Sequence, residues 1–179
     1  MRDRIEIRLG GEGGQGIVLA GVILAEAAAI YDGRNATQTQ MYGPESRGGA
    51  SKSEVIISDD EIDYPKATAV DLLLALTQVA VDRYAVDLKP SGILVVDADK
   101  VLTPPPGSFQ IHRLPILRTA RDGVGKAMVG NIVSLGVIVG LSKAVSREAI
   151  ERATLARVPK GTEELNRRAL EAGFGLVGA

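Results

Sequence analysis

Residues 10 to 16, Gly-Gly-Glu-Gly-Gly-Gln-Gly, have the composition of a loop that could hold an anion. Gly11, Gly13 and Gly16 satisfy the pattern G-x-G-x-x-G. A residue without Cβ can take a positive φ or lie close to another surface. The alternating run 5–9 predicts a strand before the loop, and the apolar run 17–30 predicts a helix after it. The free N–H groups at the start of that helix would favour an anion or a polar group.

The spacing of these glycines is compatible with a dinucleotide site, but the flanking acids fit one poorly. The dinucleotide fingerprint needs an acid about 20 residues further on, at the end of the second strand. Asp32 lies nearer than that and precedes the predicted second strand. Glu12 would place a carboxylate where a pyrophosphate must approach, at a like-charge cost. A glycine turn that only lets strand and helix pack is the alternative interpretation.

A second glycine-rich stretch covers residues 42 to 49, Tyr-Gly-Pro-Glu-Ser-Arg-Gly-Gly, and predicts an irregular loop. Arg47 and Lys52 flank its glycine pair and could bind a phosphate or a carboxylate. Charged loop residues are also commonly solvated, and Glu45 could be a surface partner of Arg47. Both interpretations stay open at this stage.

Other polar residues give no self-contained active site. His112 is the single histidine and is expected to be a surface or satisfied side chain. Asp71 lies inside an apolar strand, so we expect it either at the solvent-exposed end of the sheet or with a hydrogen-bonding partner. Asn131 faces a cleft or a subunit, or caps a neighbouring loop. Asp97 and Asp99 follow a strand, where ligands of α/β proteins gather, but two acids are weak evidence for a metal.

Composition excludes several classes of protein. The 179 residues contain no cysteine, which excludes a disulfide framework, a Cys nucleophile and an iron–sulfur cluster held by this chain's own thiolates. The net charge of -1 argues against a nucleic-acid partner. We find no signal peptide and no run of about 18 apolar residues, so we expect a cytoplasmic protein without a membrane partner.

The order of predicted elements defines the fold. Strands alternating with helices predict an α/β protein, a three-layer α/β/α arrangement with a mostly parallel, Rossmann-like sheet, in a single domain covering 1–179. The predicted strands cover 5–9, 36–41, 51–58, 70–76, 93–97 and 109–114, with 62–65 as a short edge piece, and residues 89–92 are a predicted loop. The predicted helices cover 17–30, 78–88, 127–141 and 147–158, with a short one beginning at Thr162.

Taken together, residues 10–16, 37–49 and 53–58 resemble the gamma subunit of 2-oxoacid:ferredoxin oxidoreductases. Within them, the stretch Tyr-Gly-Pro-Glu-Ser-Arg-Gly-Gly at 42–49 is the most specific. Residues 72–97 and 130–136 also fit, so the resemblance covers nearly the whole chain. The style of the motifs favours the 2-oxoglutarate type over the pyruvate, branched-chain and indolepyruvate types.

The resemblance implies one subunit of an enzyme that decarboxylates a 2-oxoacid oxidatively, forms an acyl-CoA and passes electrons to ferredoxin. Alpha and beta subunits, with or without a ferredoxin-like delta subunit, would be the partners. They would hold thiamine diphosphate, Mg and the iron–sulfur clusters, so the chain alone would be inactive and would bind no cofactor or metal. A stand-alone dinucleotide-binding protein and a pure scaffold subunit remain the alternatives. The resemblance implies cofactor-binding or interface positions on the CoA side of the site at Gly11, Gly13, Gly14, Gln15, Gly16, Tyr42, Ser46, Arg47, Gly48, Gly49 and Asn131.

Overall fold

A computed structural model describes residues 4–44 and 49–179 of the chain. It contains six strands and six helices, with short π-helical or 3-10 turns at 27–31, 119–124 and 127–129, and its last four helices follow the last strand. The strands are β1 (Arg4–Glu12), β2 (Asn35–Tyr42), β3 (Ala50–Ser58), β4 (Val70–Ala75), β5 (Leu88–Asp97) and β6 (Gln110–Leu114). The helices are α1 (Ile17–Glu26), α2 (Gln78–Tyr84), α3 (Ile116–Arg118), α4 (Gly130–Ser142), α5 (Arg147–Arg157) and α6 (Glu163–Leu176).

The strands form one sheet in the order β2-β3-β1-β4-β5-β6. β1, β4, β5 and β6 pair in parallel, whereas β3 lies antiparallel between β2 and β1. Five of the six strands therefore run in the same direction, and the prediction of a mostly parallel sheet is confirmed. All the parallel strands end at one edge, which is where the glycine-rich loop begins.

The two faces of the sheet are covered unequally. Helices α1, α4, α5 and α6 bury the larger core, in which Ile7, Leu74 and Val95 have no exposed surface. The short helix α2 covers a smaller core on the opposite face, around Leu73 and Leu94. The three-layer α/β/α prediction is therefore confirmed. Within the described residues, no helix combines the length and the apolar character that a membrane span needs.

Polar side chains hold the smaller face where α2 does not reach. The carboxylate of Glu6 accepts hydrogen bonds from the N–H groups of Thr68 and Ala69, at 2.8 and 2.9 Å. Asp71 accepts from the N–H of Glu6 and from Lys89 Nζ, each at 2.8 Å. The prediction that a partner satisfies Asp71 is thus confirmed, and the segment before β4 is fixed across the sheet.

Several predicted element boundaries are wrong. β5 begins at Leu88, so residues 89–92 belong to a strand rather than a loop, and α2 ends already at Tyr84. A register shift between β4 and β5 at Val70 and Leu72 lets the strand accommodate Pro90. Residues 62–65 form no strand. Helix α6 is fourteen residues long rather than short, because Gly173 packs against α4 instead of ending the helix.

Candidate functional site

The first glycine-rich segment divides between a strand and a turn. The sequence placed Gly10 and Gly11 in the turn, and this is wrong, because β1 continues to Glu12. A Cβ on Gly10 would lie 2.8 Å from the ring of Tyr84, so this glycine lets α2 pack on the sheet. A Cβ on Gly11 would lie 2.5 Å from Oε1 of Gln15.

Residues 12–15 form the turn itself, and Gln15 stabilises it. The N–H of Gln15 donates to the carbonyl oxygen of Glu12 at 3.2 Å. Its side-chain Oε1 accepts from the N–H of Glu12 at 2.7 Å. Gly14 and Gly16 have φ values of 91° and 74°, a region that favours glycine. Gln15 thus shapes the loop, and its amide nitrogen is the part of the side chain left for an external contact.

Asn131 connects the starts of two helices. Its side chain is buried, and Nδ2 donates to the carbonyl oxygen of Gly16 at 3.3 Å. A Cβ on Gly16 would overlap the amide of Asn131. Of the alternatives left open by the sequence, the structure supports the one in which Asn131 caps a neighbouring loop. It fixes α1 and α4 beside each other at the carboxyl edge of the sheet.

The two glycine-rich segments meet. The N–H of Gly13 donates to the carbonyl oxygen of Gly49 at 3.1 Å. Tyr42, at the end of β2, is 63% exposed. Ser46, Arg47 and Gly48 lie outside the described residues, so the predicted anion contact of Arg47 stays a prediction.

A cavity of about 440 Å³ opens beside the first loop, at the carboxyl edge of the sheet. In open α/β sheets this edge is where ligands bind. Three cationic side chains, those of Lys100, Arg118 and Arg121, line the cavity, and sequence reasoning missed all of them. Its complete lining is Gly14, Gln15, Asp97, Asp99, Lys100, Leu117, Arg118, Arg121, Ala127, Met128 and Gly130.

Three cations and two carboxylates, those of Asp97 and Asp99, line this cavity, and two of the cations have acidic partners. Arg118 lies 3.4 Å from Asp99, and Arg121 lies 2.7 Å from Asp122. That contact raises the pKa of Arg121 and lowers the pKa of Asp122, chiefly through their hydrogen bond. Among the described residues, Lys100 has no ion-pair partner. The cavity therefore combines cationic side chains with the open backbone of the glycine loop, which suits a phosphorylated ligand.

Asp97 organises the wall of the cavity rather than contacting a ligand. Its carboxylate is fully buried and accepts from the N–H groups of Asp99, Lys100 and Leu117, at 3.0, 3.1 and 2.9 Å. These bonds fix the loop that carries Lys100 and the start of the helix that carries Arg118. Within the part of the chain that the structure describes, no group of three or more potential metal ligands occurs.

A cavity of similar volume lies at the opposite, amino edge of the sheet. Arg34 and Asp71 line it, and both already have partners, since Arg34 donates to Asp59 and to the carbonyl oxygen of Ala144. We therefore favour the cavity at the carboxyl edge, which the glycine loop borders, as the candidate site.

Two residues considered at the sequence level lie away from the candidate site. Asp32 accepts from the N–H and from the Oγ of Ser146, both at 2.7 Å, and so holds the start of α5. His112 lies on the edge strand β6, and its buried Nε2 has no hydrogen-bond partner among the described residues. In addition, the antiparallel β3 lies where a dinucleotide-binding fold has a parallel strand beside β1, so the acid at the end of that parallel strand has no counterpart at this position among the described residues.

Comparison with known proteins agrees with this architecture. The family model of pyruvate ferredoxin/flavodoxin oxidoreductase matches residues 6–176. The 2-oxoglutarate synthase subunit KorC of Methanocaldococcus jannaschii is 51% identical over 176 residues, which cover 97% of this chain and 94% of that protein. The crystal structure of a keto/oxoacid ferredoxin oxidoreductase gamma subunit from Geobacter sulfurreducens PCA superposes with a TM-score of 0.88 at 54% identity, covering 97% of this chain and 98% of that one.

Two longer proteins contain a similar unit. The ketoisovalerate oxidoreductase subunit VorA of Methanothermobacter thermautotrophicus is 36% identical over 94% of this chain but only 35% of its own length. A 2-oxoglutarate:ferredoxin oxidoreductase from Magnetococcus marinus, solved with 2-oxoglutarate, coenzyme A and succinyl-CoA bound, shares the fold at 21% identity. Its TM-score is 0.86, and the match covers 99% of this chain and 32% of that one.

Proposed function

This chain belongs to the pyruvate ferredoxin/flavodoxin oxidoreductase family as a gamma subunit, and from that premise we propose that its complex oxidises 2-oxoglutarate. In the proposed reaction 2-oxoglutarate loses CO₂, its acyl group is transferred to coenzyme A as succinyl-CoA, and the electron pair passes to ferredoxin. The main support is the identity to a 2-oxoglutarate synthase subunit, 51%, against 31% to a pyruvate synthase subunit.

The proposed partners are the alpha and beta subunits, with or without a ferredoxin-like delta subunit. The matched part of VorA is about a third of its length, so in that protein a unit like this one is joined to other sequence. We infer that a separate chain supplies the equivalent of that sequence here. In this proposal the partners bind thiamine diphosphate, Mg and the iron–sulfur clusters. The clusters need cysteine thiolates, which this chain lacks.

We place coenzyme A at the cavity beside the glycine loop. Coenzyme A carries a diphosphate and a further phosphate, and Lys100, Arg118 and Arg121 are three cations within one cavity. Gly13 and Gly14 have open space where a Cβ would be, so a ligand or a partner backbone can lie against them. In this proposal the chain binds and orients coenzyme A, while the bond-breaking steps occur on the partner subunits.

The test uses the complex reconstituted from all of its subunits. We expect the double variant Lys100→Ala, Arg118→Ala to raise the KM for coenzyme A by roughly a hundred-fold or more, since it removes two charge-assisted hydrogen bonds that contribute about 1.5–3 kcal/mol each in favourable sites. The KM for 2-oxoglutarate should not change. Lys160→Ala, which removes a cation outside this cavity, is the control. An unchanged KM for coenzyme A would refute the proposed site.

Arg47 gives a test of the scaffold alternative. In the reconstituted complex, Arg47→Ala that leaves assembly intact but raises the KM for coenzyme A indicates a role in the site. Loss of assembly with no effect on the remaining activity per complex indicates docking instead. Gel filtration followed by steady-state kinetics on the isolated complex separates the two outcomes.

A further inference from the structure

Strand β2 forms a free edge of the sheet, because β3 is its only neighbour among the described strands. Its eight residues, NATQTQMY, include no charged side chain and no proline. Its pairing with β3 runs without a bulge from Asn35 to Tyr42. Edge strands of monomeric proteins are usually protected by lysine, proline, a bulge or a very short length. β2 has none of these four forms of protection.

The other edge of the sheet is different. β6 has only five residues, carries Arg113 and is followed directly by Pro115. Charge, short length and proline all oppose the addition of another strand there. The contrast within one sheet indicates that the unprotected edge is specific to β2.

We propose that β2 pairs antiparallel with β2 of a second copy of this chain, so that one sheet of twelve strands runs through a dimer. A two-fold axis perpendicular to the sheet would pass through the middle of the strand, at Gln38 or Thr39. Such an axis keeps each face of the sheet continuous, so helices stay on the same side in both copies. The free N–H and C=O groups of the edge then pair with each other.

The chemistry of β2 suits pairing with itself. In a symmetric pair the residue on the two-fold axis lies opposite its own copy. A charged residue there would therefore meet a like charge. With the axis at Thr39, Gln38 lies opposite Gln40 of the second copy. The Nε2 of Gln38 already donates to Ser53 Oγ at 2.9 Å, and its Oε1 can accept from the Nε2 of that Gln40. Gln40 is exposed, and Met41 is 55% exposed. Pairing would remove both from water without burying a charge.

The absence of cysteine from the chain makes the proposal directly testable by cross-linking. Opposite residues of an antiparallel pair have Cα atoms about 4.5–5.5 Å apart, within the range of a disulfide. We make two full-length variants, Gln38→Cys and Thr39→Cys. In the variant whose cysteine lies on the axis, we expect mild oxidation to convert most of the protein into a covalent dimer. Gln110→Cys, exposed on the other edge strand, is the matched control and should stay monomeric.

A second measurement does not depend on a disulfide. Sedimentation equilibrium of the unmodified chain should give twice the monomer mass of 18.8 kDa. Thr39→Lys, which sets like charges near the axis, should restore the monomer mass, whereas Gln110→Lys should not. A monomeric chain without cross-linking at positions 38 and 39 would overturn the proposal. A dimer that neither cysteine traps would overturn it too, because that dimer uses another surface.

Discussion

At the scale of single residues, three neighbouring glycines differ in what constrains them. Gly14 is constrained by its φ of 91°, and Gly16 by both its φ and the adjacent Asn131 amide. Gly13 has an ordinary φ, and a Cβ there would meet nothing within 4 Å. Nothing in the described fold of this chain therefore requires glycine at position 13, and the space beside it is open to a ligand or a partner.

We predict that Gly14→Val and Gly13→Ala behave differently. A β-branched residue at positive φ should lower the free energy of unfolding by about 2 kcal/mol, measured by urea denaturation of the isolated chain. Gly13→Ala should not lower that value and should instead reduce the activity of the reconstituted complex. Equal unfolding free energies for the two variants would show that the turn needs no special backbone at Gly14.

A second prediction at this scale concerns the buried carboxylate of Glu54. Burial alone would raise its pKa, but the hydrogen bond from Lys52, the N–H of Ala67 and the charges of Arg8 and Lys52 together lower the pKa below its ordinary value of 4.5. A depressed folded-state pKa adds stability above the unfolded value, and this stability is lost as the pH falls through the folded value. Its contribution is therefore complete near neutral pH and decreases below about pH 4.5.

We expect Glu54→Gln to lower the free energy of unfolding by roughly 2 kcal/mol near neutral pH, because it removes charge-assisted hydrogen bonds. The difference from the unmodified chain should shrink as the pH falls below about 4.5. Urea denaturation across this pH range measures both effects. Glu148→Gln, which removes an exposed carboxylate 3.8 Å from Arg152, should have almost no effect at any pH. A deficit that is independent of pH would contradict the electrostatic explanation.

At the scale of elements, the contact between α4 and α6 depends on two glycines. A Cβ on Gly136 would overlap the carbonyl oxygen of Leu170, and a Cβ on Gly173 would overlap the carbonyl oxygen of Val133. The helix backbones therefore touch at this crossing. Backbone atoms cannot rotate away as a flexible side chain can, so even a methyl group must push the helices apart.

We predict that Gly136→Ala or Gly173→Ala lowers the free energy of unfolding by about 3 kcal/mol through overpacking. Gly175→Ala is the matched control on the same helix, because a Cβ there meets nothing within 4 Å. It should raise stability by about 0.5–1 kcal/mol through helix propensity. Thermal denaturation of the three variants decides the matter, and equal melting temperatures would rule out backbone contact at the crossing.

The elements were predictable where local chemistry decides them. Helices were predicted to begin at residues 78 and 147, and the hydroxyl oxygens of the preceding Thr77 and Ser146 accept from the N–H groups of Ala80 and Ala149. The end of α6 was not predictable, because Gly173 looks like a helix terminator until α4 is packed against it. The antiparallel direction of β3 was equally hidden, since an alternating strand has the same pattern in either direction.

At the scale of the whole molecule, the candidate site joins segments distant in sequence. The glycine loop follows β1, Lys100 follows β5, and Arg118 lies in α3. Only the parallel topology, which brings strand ends to one edge, and the bonds of Asp97 place them around one cavity. The first glycine loop could be predicted because Gly14 and Gly16 take positive φ values, whereas the cations could not, because isolated Lys and Arg residues have no local signature.

The last prediction follows from this arrangement and concerns the isolated chain. The isolated chain has no cysteine, and its described residues include no group of three or more potential metal ligands. We therefore expect the isolated chain to show no turnover of 2-oxoglutarate. Activity should appear only when alpha and beta subunits are added. Calorimetric titration of the isolated chain with NAD, FAD and coenzyme A completes the test. Heat from coenzyme A alone, or from none of the three, agrees with a gamma subunit that binds coenzyme A fully only within the complex. Micromolar binding of NAD or FAD at the glycine loop would instead establish a dinucleotide-binding protein, despite the antiparallel strand beside β1.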